Sequence, residues 1–206
     1  MIYDAVMRTG RWMMKVSREQ AAQNRERIVD VAARLFRERG YDGIGVSDLM
    51  KNAGLTHGGF YGHFGSKEDL LAEACEHALD ASVKRWRGHA ARAPRAALAT
   101  ITDGYLSAAH RDDPGLGCAI PALGSDIARL GPGARHAFTE GARAQMDVLA
   151  GLKRGDGDAR GQAIAHYAAM VGALILARAV DDAALSDEIL LAVARQLKGA
   201  RPETAA

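Results

Sequence analysis

Apolar residues recur at helical spacing from the first well-patterned stretch of the chain. Ile28, Ala32, Leu35 and Phe36 stand at i, i+4, i+7 and i+8 and mark one face of a helix predicted over about 18–39. Ser17 is its N-cap and Gly40 its stop. Two short helical pieces are predicted at 46–53 and 56–64, with Gly54-Leu55 between them. Ser66 opens a longer helix with Glu68 and Asp69 in its first turn, where carboxylates complement the exposed N–H groups. Its apolar stripe is Leu70, Leu71, Ala74, Cys75, Ala78 and Leu79. Residues 88–94 read as a joint, beyond which further helices are predicted at about 95–110, 120–130, 134–152, 159–180 and 186–198. A turn is predicted at Arg154-Gly155-Asp156-Gly157-Asp158. Alternating apolar runs are missing and no repeat emerges at a fixed period, so the expected fold is all-α with about nine helices.

Composition narrows the function classes. A chain of 206 residues, 48% hydrophobic and 25% charged, is long and apolar enough for a real core, which excludes a disordered tail. The net charge of +2 excludes a polybasic nucleic-acid coat. That balance hides a gradient: residues 8–67 carry +5, and the next thirteen residues hold five acids and no Lys or Arg. Cys75 and Cys118 form no CxxC pair, which argues against a disulfide framework or zinc knuckle and for a reducing cytoplasm. The longest apolar run, 168–177, is shorter than the roughly 20 residues that span a bilayer, and the N-terminus lacks a signal-peptide pattern, so no membrane association is expected.

The chemistry concentrates in VSDLMKNAGLTHGGFYGHFGSKEDL, residues 46–70. Two short helices joined by a glycine turn, the second one polar, outline a helix-turn-helix. Val46, Leu49, Met50 and Ala53 would pack the first piece, Leu55 and Phe60 anchor the second, and Thr56, His57, Gly58, Gly59, Tyr61 and His63 remain exposed. Gly58 and Gly59 each cost roughly 1 kcal/mol against Ala in a helix interior, so close approach of a duplex is the better reason for them. Ala53, Gly54, Leu55, Thr56, Gly58, Phe60, Tyr61, His63, Phe64, Ser66, Lys67, Glu68 and Leu70 make residues 25–71 resemble the DNA-binding domain of the TetR family of bacterial transcriptional regulators. One departure is Gly45, where that family usually has Thr.

The resemblance implies a repressor that binds a palindromic double-stranded operator as a homodimer and is released by a small effector. Thr56, His57 and Gly59 would lie nearest base edges with Gly58 permitting close approach. Tyr61, His63 and Lys67 would reach phosphates, and Ser47 and Lys51 would add weaker contacts. The implied division is a flexible basic arm at 1–17, a DNA-binding domain at 18–65, a connecting helix at 66–87, a helical effector-binding and dimerisation domain at 88–199 and a disordered tail at 200–206. In the arm, Arg8, Arg11 and Lys15, with Arg18 beyond it, would track the DNA backbone.

In the second domain, apolar residues surround the helix 163–177, which predicts burial on two sides. With Ile189, Leu190, Val193 and Leu197 on the next helix, this predicts a homodimer through the last two helices. Trp86, Tyr105, His110, Phe138, Met146, His166, Tyr167 and Met170 stand out among Ala, Leu and Gly and are candidates for lining a pocket for a small apolar or aromatic effector. Cys118, ahead of a helix whose start is marked by Pro121, is a further candidate and raises the alternative of an electrophile or oxidant sensor. A DNA-binding regulator without any effector is the other alternative. The sequence has no G-x-S-x-G, H-E-x-x-H or P-loop, and Glu73 with His77 reads as a solvated pair. No enzyme, catalytic residue, metal or cofactor is therefore expected.

Overall fold

A computed structural model describes residues 18–153 and 157–199; the expected arm at 1–17, the tail at 200–206 and most of the turn at 154–158 lie outside the described residues. Among the described residues, nine α-helices and two 3-10 segments follow one another without a strand.

The first helix, α1 (Arg18–Arg39), buries Ile28, Val29, Ala32, Ala33, Leu35 and Phe36 on the predicted face. It ends because Gly40 takes φ +74°, a left-handed conformation that glycine reaches without a Cβ clash, and its N–H closes on the Phe36 carbonyl at 2.8 Å. Helix α2 (Val46–Asn52) starts from Gly45, which has no side chain with which to cap it. It buries Leu49 and Met50. Gly54, at φ +72°, then reverses the chain. Helix α3 (Lys67–Arg92) opens at Ser66, whose hydroxyl accepts the Asp69 N–H at 3.0 Å.

Three local expectations change. The segment expected as a helix at 56–64 is a 3-10 helix, His57–Gly62, because Gly58, Gly59 and Gly62 supply little α-helical preference to a six-residue piece. The joint expected from residue 88 is helical: α3 runs through Gly88 to Arg92 and stops ahead of Pro94, which cannot donate to a continuing helix. The helix expected at 95–110 breaks into α4 (Ala97–Tyr105) and α5 (Ala108–Asp112), because the Ser107 hydroxyl accepts the His110 N–H at 3.2 Å and caps a new start. A short 3-10 turn, Pro114–Leu116, follows, capped by Asp113.

The remaining helices are α6 (Ala119–Ile127), α7 (Pro132–Leu152), α8 (Ala159–Ala179) and α9 (Ala183–Leu197). Helix α3 is the spine shared by both units: it packs on α1, and it packs on α7 more extensively than any other helix pair does. At that crossing a Cβ on Gly141 would stand 2.3 Å from Leu79 Cδ1, so only glycine admits this approach. Asp158 and Asp182 cap α8 and α9 through their carboxylates. By length and composition alone α8 has the character of a membrane-crossing helix. It nevertheless buries His166, Tyr167, Met170, Ala173 and Leu174 within the helical core, and it leaves Ile164, Ile175 and Leu176 exposed.

Candidate DNA interface and effector cavity

Helix α2 and the 3-10 helix share one core, in which Phe60 and Phe64 lie buried with ring centroids 5.7 Å apart. That packing turns Ser47 and Lys51 on α2, and Thr56, His57, Gly58 and Tyr61 beyond the turn, to solvent. Tyr61 is 68% exposed and is steadied edge-on by Phe60 at 5.2 Å and by His57 at 6.4 Å. His63 is half-buried against Phe64. The Lys67 ammonium lies 4.2 Å from the Tyr41 ring centroid, a cation–π contact that holds it at the start of α3.

The glycines of this surface are not explained by the chain's own packing. A Cβ at Gly58 would meet nothing within 4 Å, and one at Gly59 would meet Met50 Cε at an ordinary 3.6 Å. Neither residue has positive φ.

In the second unit a cavity of about 590 Å³ opens between α3, α4, α5 and the Pro114–Leu116 turn. Of the nine effector candidates, Trp86, Tyr105, His110 and Cys118 line it. Tyr167 stands behind the wall, 6.0 Å ring to ring from Trp86. Phe138 and Met146 pack half-buried on the core, and Met170 is fully buried in it. His166 belongs to a separate network. Sequence reasoning passed over Arg85, Ser82 and Leu116, which also line the cavity. Arg85 stands beside Trp86 on the same helix, a neighbour relation that would have flagged it once Trp86 was chosen.

The lining is internally wired. Gln145 donates to the Ser82 hydroxyl at 2.8 Å and accepts from the Tyr167 hydroxyl. Cys118 Sγ lies 3.7 Å from both the Gln145 oxygen and the Tyr167 oxygen. His110 Nε2 accepts the Cys118 N–H at 2.9 Å, so its Nδ1–H donates to the Tyr105 carbonyl at 2.7 Å. Burial, and then the guanidinium charges of Arg178, Arg85 and Arg37 against that carbonyl bond, push its pKa down. Cys75, the other cysteine, is buried on α3, and burial pushes its thiol up to about 12.

Away from the cavity, the Thr102 hydroxyl donates to the Leu98 carbonyl at 2.8 Å and so accepts from His166 Nε2–H at 2.9 Å. Lys153 Nζ donates to His166 Nδ1 at 3.1 Å. Burial and then the Lys153 charge push His166 down to about 4. A histidine whose folded pKa lies below its unfolded value of 6.5 takes up its proton preferentially in the unfolded state, so folding weakens as pH falls from about 6.5 toward 4. The melting temperature is expected to drop across that window. His166→Gln, which keeps one donor and one acceptor, flattens the drop; a His166→Gln curve parallel to wild type would remove this assignment.

The two units are tied by side chain to backbone bonds. Arg37 of α1 donates from both Nε, at 3.0 Å, and Nη2 to the Gly115 carbonyl of the turn beneath the cavity. Asp126 of α6 accepts the Tyr41 N–H at 2.8 Å, and Glu68 accepts the Gly131 N–H at 2.9 Å.

A short helix, a glycine turn and an exposed polar 3-10 segment, carried on α1 and α3 and bonded to a helical bundle with its own cavity, define a helix-turn-helix DNA-binding domain joined to a second, all-helical unit. Residues 28–74 match the family model of bacterial regulatory proteins, tetR family, which makes that segment a TetR-type DNA-binding domain. The HTH-type transcriptional regulator AcrR of Shigella flexneri is 38% identical over 64 residues, 31% of this chain and 30% of that protein. The chain therefore matches less than a third of that relative's length. The crystal structure of reduced NemR from E. coli superposes with TM-score 0.75 at 24% identity, over 89% of this chain and 100% of that one. A TetR transcriptional regulator from Chloroflexus aurantiacus superposes with TM-score 0.72 at 26% identity, over 87% of this chain and 96% of that one. These likenesses extend the shared fold through the second unit.

Proposed function

We propose that this protein is a cytoplasmic, ligand-responsive transcriptional regulator that binds a palindromic operator as a homodimer and leaves it when a small apolar or aromatic effector enters the cavity. The observation that carries the reading is the direct bond from α1 to the turn whose Leu116 lines that cavity, Arg37 to the Gly115 carbonyl. The mechanism is a population shift. An effector that favours one position of the Pro114–Leu116 turn favours one position of α1, and so one spacing of the two recognition segments.

At the DNA face, Thr56, His57 and Gly59 read base edges, Gly58 admits the duplex, and Ser47, Lys51, Tyr61, His63 and Lys67 hold phosphates. Gly58→Ala is the sharpest test because it separates stability from binding. A compatible Gly→Ala change stabilises by roughly 0.4–1 kcal/mol, and nothing in the chain lies within 4 Å of the new methyl. The expected result is an unchanged or higher melting temperature with weaker operator binding, measured by fluorescence anisotropy on duplexes selected from a random pool. Lys67→Ala is expected to weaken selected and random duplexes alike and to reduce the slope of log K against log salt by about one contact. Full operator affinity in both variants would remove this surface from the interface.

A further inference from the structure

Resting on the reading of the cavity as an effector site, a narrower inference about the effector's chemistry follows from two groups in its wall. The first is Tyr105. It is 5% exposed, and its hydroxyl is the buried side-chain polar atom that has no hydrogen-bond partner among the described residues. The Cys118 thiol and the Tyr167 hydroxyl stand near enough to act on its pKa, but neither meets it at full hydrogen-bond distance and angle. A buried hydroxyl is rarely left unpaired, and one in a cavity wall is a donor held ready for something that occupies the cavity.

The second group is Arg85. It lines the same cavity and has no carboxylate within ion-pair distance among the described residues. The other guanidiniums nearby are engaged: Arg37 with the Gly115 carbonyl, Arg178 with the His110 and Arg111 carbonyls, and Arg111 with Asp112 and Asp187. The acids of the wall are engaged as well. Asp112 pairs with Arg111 at 2.7 Å, and Asp113 accepts the Leu116 N–H at 3.1 Å. His110 has both ring nitrogens committed to backbone. Arg85 is the cation of the wall left without an ion pair among the described residues, while Asp113 at the turn keeps its carboxylate charge; burial first, and then the charges of Arg178, Arg85 and Arg37, lower the pKa of His110.

The apolar side of the cavity is aromatic. Trp86 meets Tyr105 at 6.1 Å, and Tyr105 meets His110 edge-on at 4.7 Å. An apolar wall ending in one neutral donor and one unpaired guanidinium has the outline of a site for a ring that carries an anionic acceptor.

We propose that the cavity takes an aromatic carboxylate, its ring against Trp86 and its carboxylate paired with Arg85 and accepting the Tyr105 hydroxyl.

The test is isothermal titration of the full chain with three probes of one shape: 2-naphthoate, the neutral 2-naphthamide and the cationic 2-naphthyltrimethylammonium. The expected result is saturable binding of naphthoate, weaker binding of the amide by about tenfold or more, and no binding of the cation. Arg85→Ala should remove most of the preference for naphthoate over the amide. Tyr105→Phe should weaken naphthoate while leaving the melting temperature of the free protein unchanged or higher, since it deletes an unpaired hydroxyl. A fall in melting temperature on Tyr105→Phe would mean the hydroxyl is already satisfied and would overturn its role. Amide or cation binding as tightly as naphthoate, or an Arg85→Ala variant with undiminished preference, would overturn the anionic class and leave the effector cavity standing. Failure of all three probes to bind would overturn both.

Discussion

Placing arginine at both Leu176 and Leu191 is expected to yield a folded monomer whose operator affinity is lower by about 10²–10⁴-fold, the range by which linking two binding modules exceeds either one alone. Leu176 is 56% exposed on α8 and Leu191 is 55% exposed on α9. Ile164, Ile175 and Leu185 are exposed on the same two helices, and Ile189, Val193 and Leu197 lie partly buried beside them. The opposite side of these helices is already committed to the protein's own core through Tyr167, Met170, Leu174, Leu190 and Ala194. The chain's own helices leave the second face uncovered, and exposed apolar residues clustered in this way are the kind of patch that serves as an interface. In a two-fold pairing each arginine would be desolvated against its symmetry mates, a cost that a homodimer cannot offset. Light scattering reads the mass, and circular dichroism with a thermal melt shows whether the variant remains folded. A dimer that survives both substitutions would move the interface elsewhere, and a wild-type protein that is monomeric at micromolar concentration would remove the homodimer altogether.

The apolar surround of α8 was legible as a local pattern, of which Tyr167, Met170 and Leu174 fill the core while Ile175 and Leu176 stay exposed. The stripes of α1 and α3 and the Ser66 cap were legible for the same reason: each is a local periodicity or a side chain bonding its own turn. The recognition segment was legible as a motif but not as a conformation, since whether a glycine-rich six-residue piece winds as α or 3-10 depends on the seating of Phe60 against α2. The break at Ser107 was hidden because a serine inside a helical pattern caps only when the chain before it has already turned away. Arg37 and the Gly115 carbonyl carry no sequence signal at all. An arginine that bonds a backbone carbonyl 78 positions away looks like any solvated cation on a helix, and its partner has no side chain to read. The residues that connect the two units were thus the least visible, and those that fill each unit were the most visible.

Arg37 is where the proposed coupling is open to the most direct test. Its guanidinium is half-buried, burial lowers its pKa, and it reaches the Gly115 carbonyl with two N–H groups. Gly115 is buried against α1, where a Cβ would stand 2.4 Å from Glu38 Oε1, so the turn has little room to move without moving α1. The next residues, Leu116, Gly117 and Cys118, line the cavity. Coupling between two sites is reciprocal: if a ligand at the cavity alters operator affinity, operator binding must alter the cavity by the same factor, for which the usual range is about 5–150-fold. Operator binding to the wild-type protein is therefore expected to change amide hydrogen exchange across residues 110–118, far from any base. Arg37→Ala should abolish that change while leaving operator affinity within a few-fold. The substitution strands a carbonyl, so Arg37→Lys, which restores one charged donor, serves as the control for misfolding and should recover part of the response. Exchange in residues 110–118 that responds to operator equally in wild type and Arg37→Ala would show that the signal crosses elsewhere. The bond from the Tyr41 N–H to Asp126 on α6, tested by Asp126→Ala, would then be the remaining path from the bundle into the end of α1.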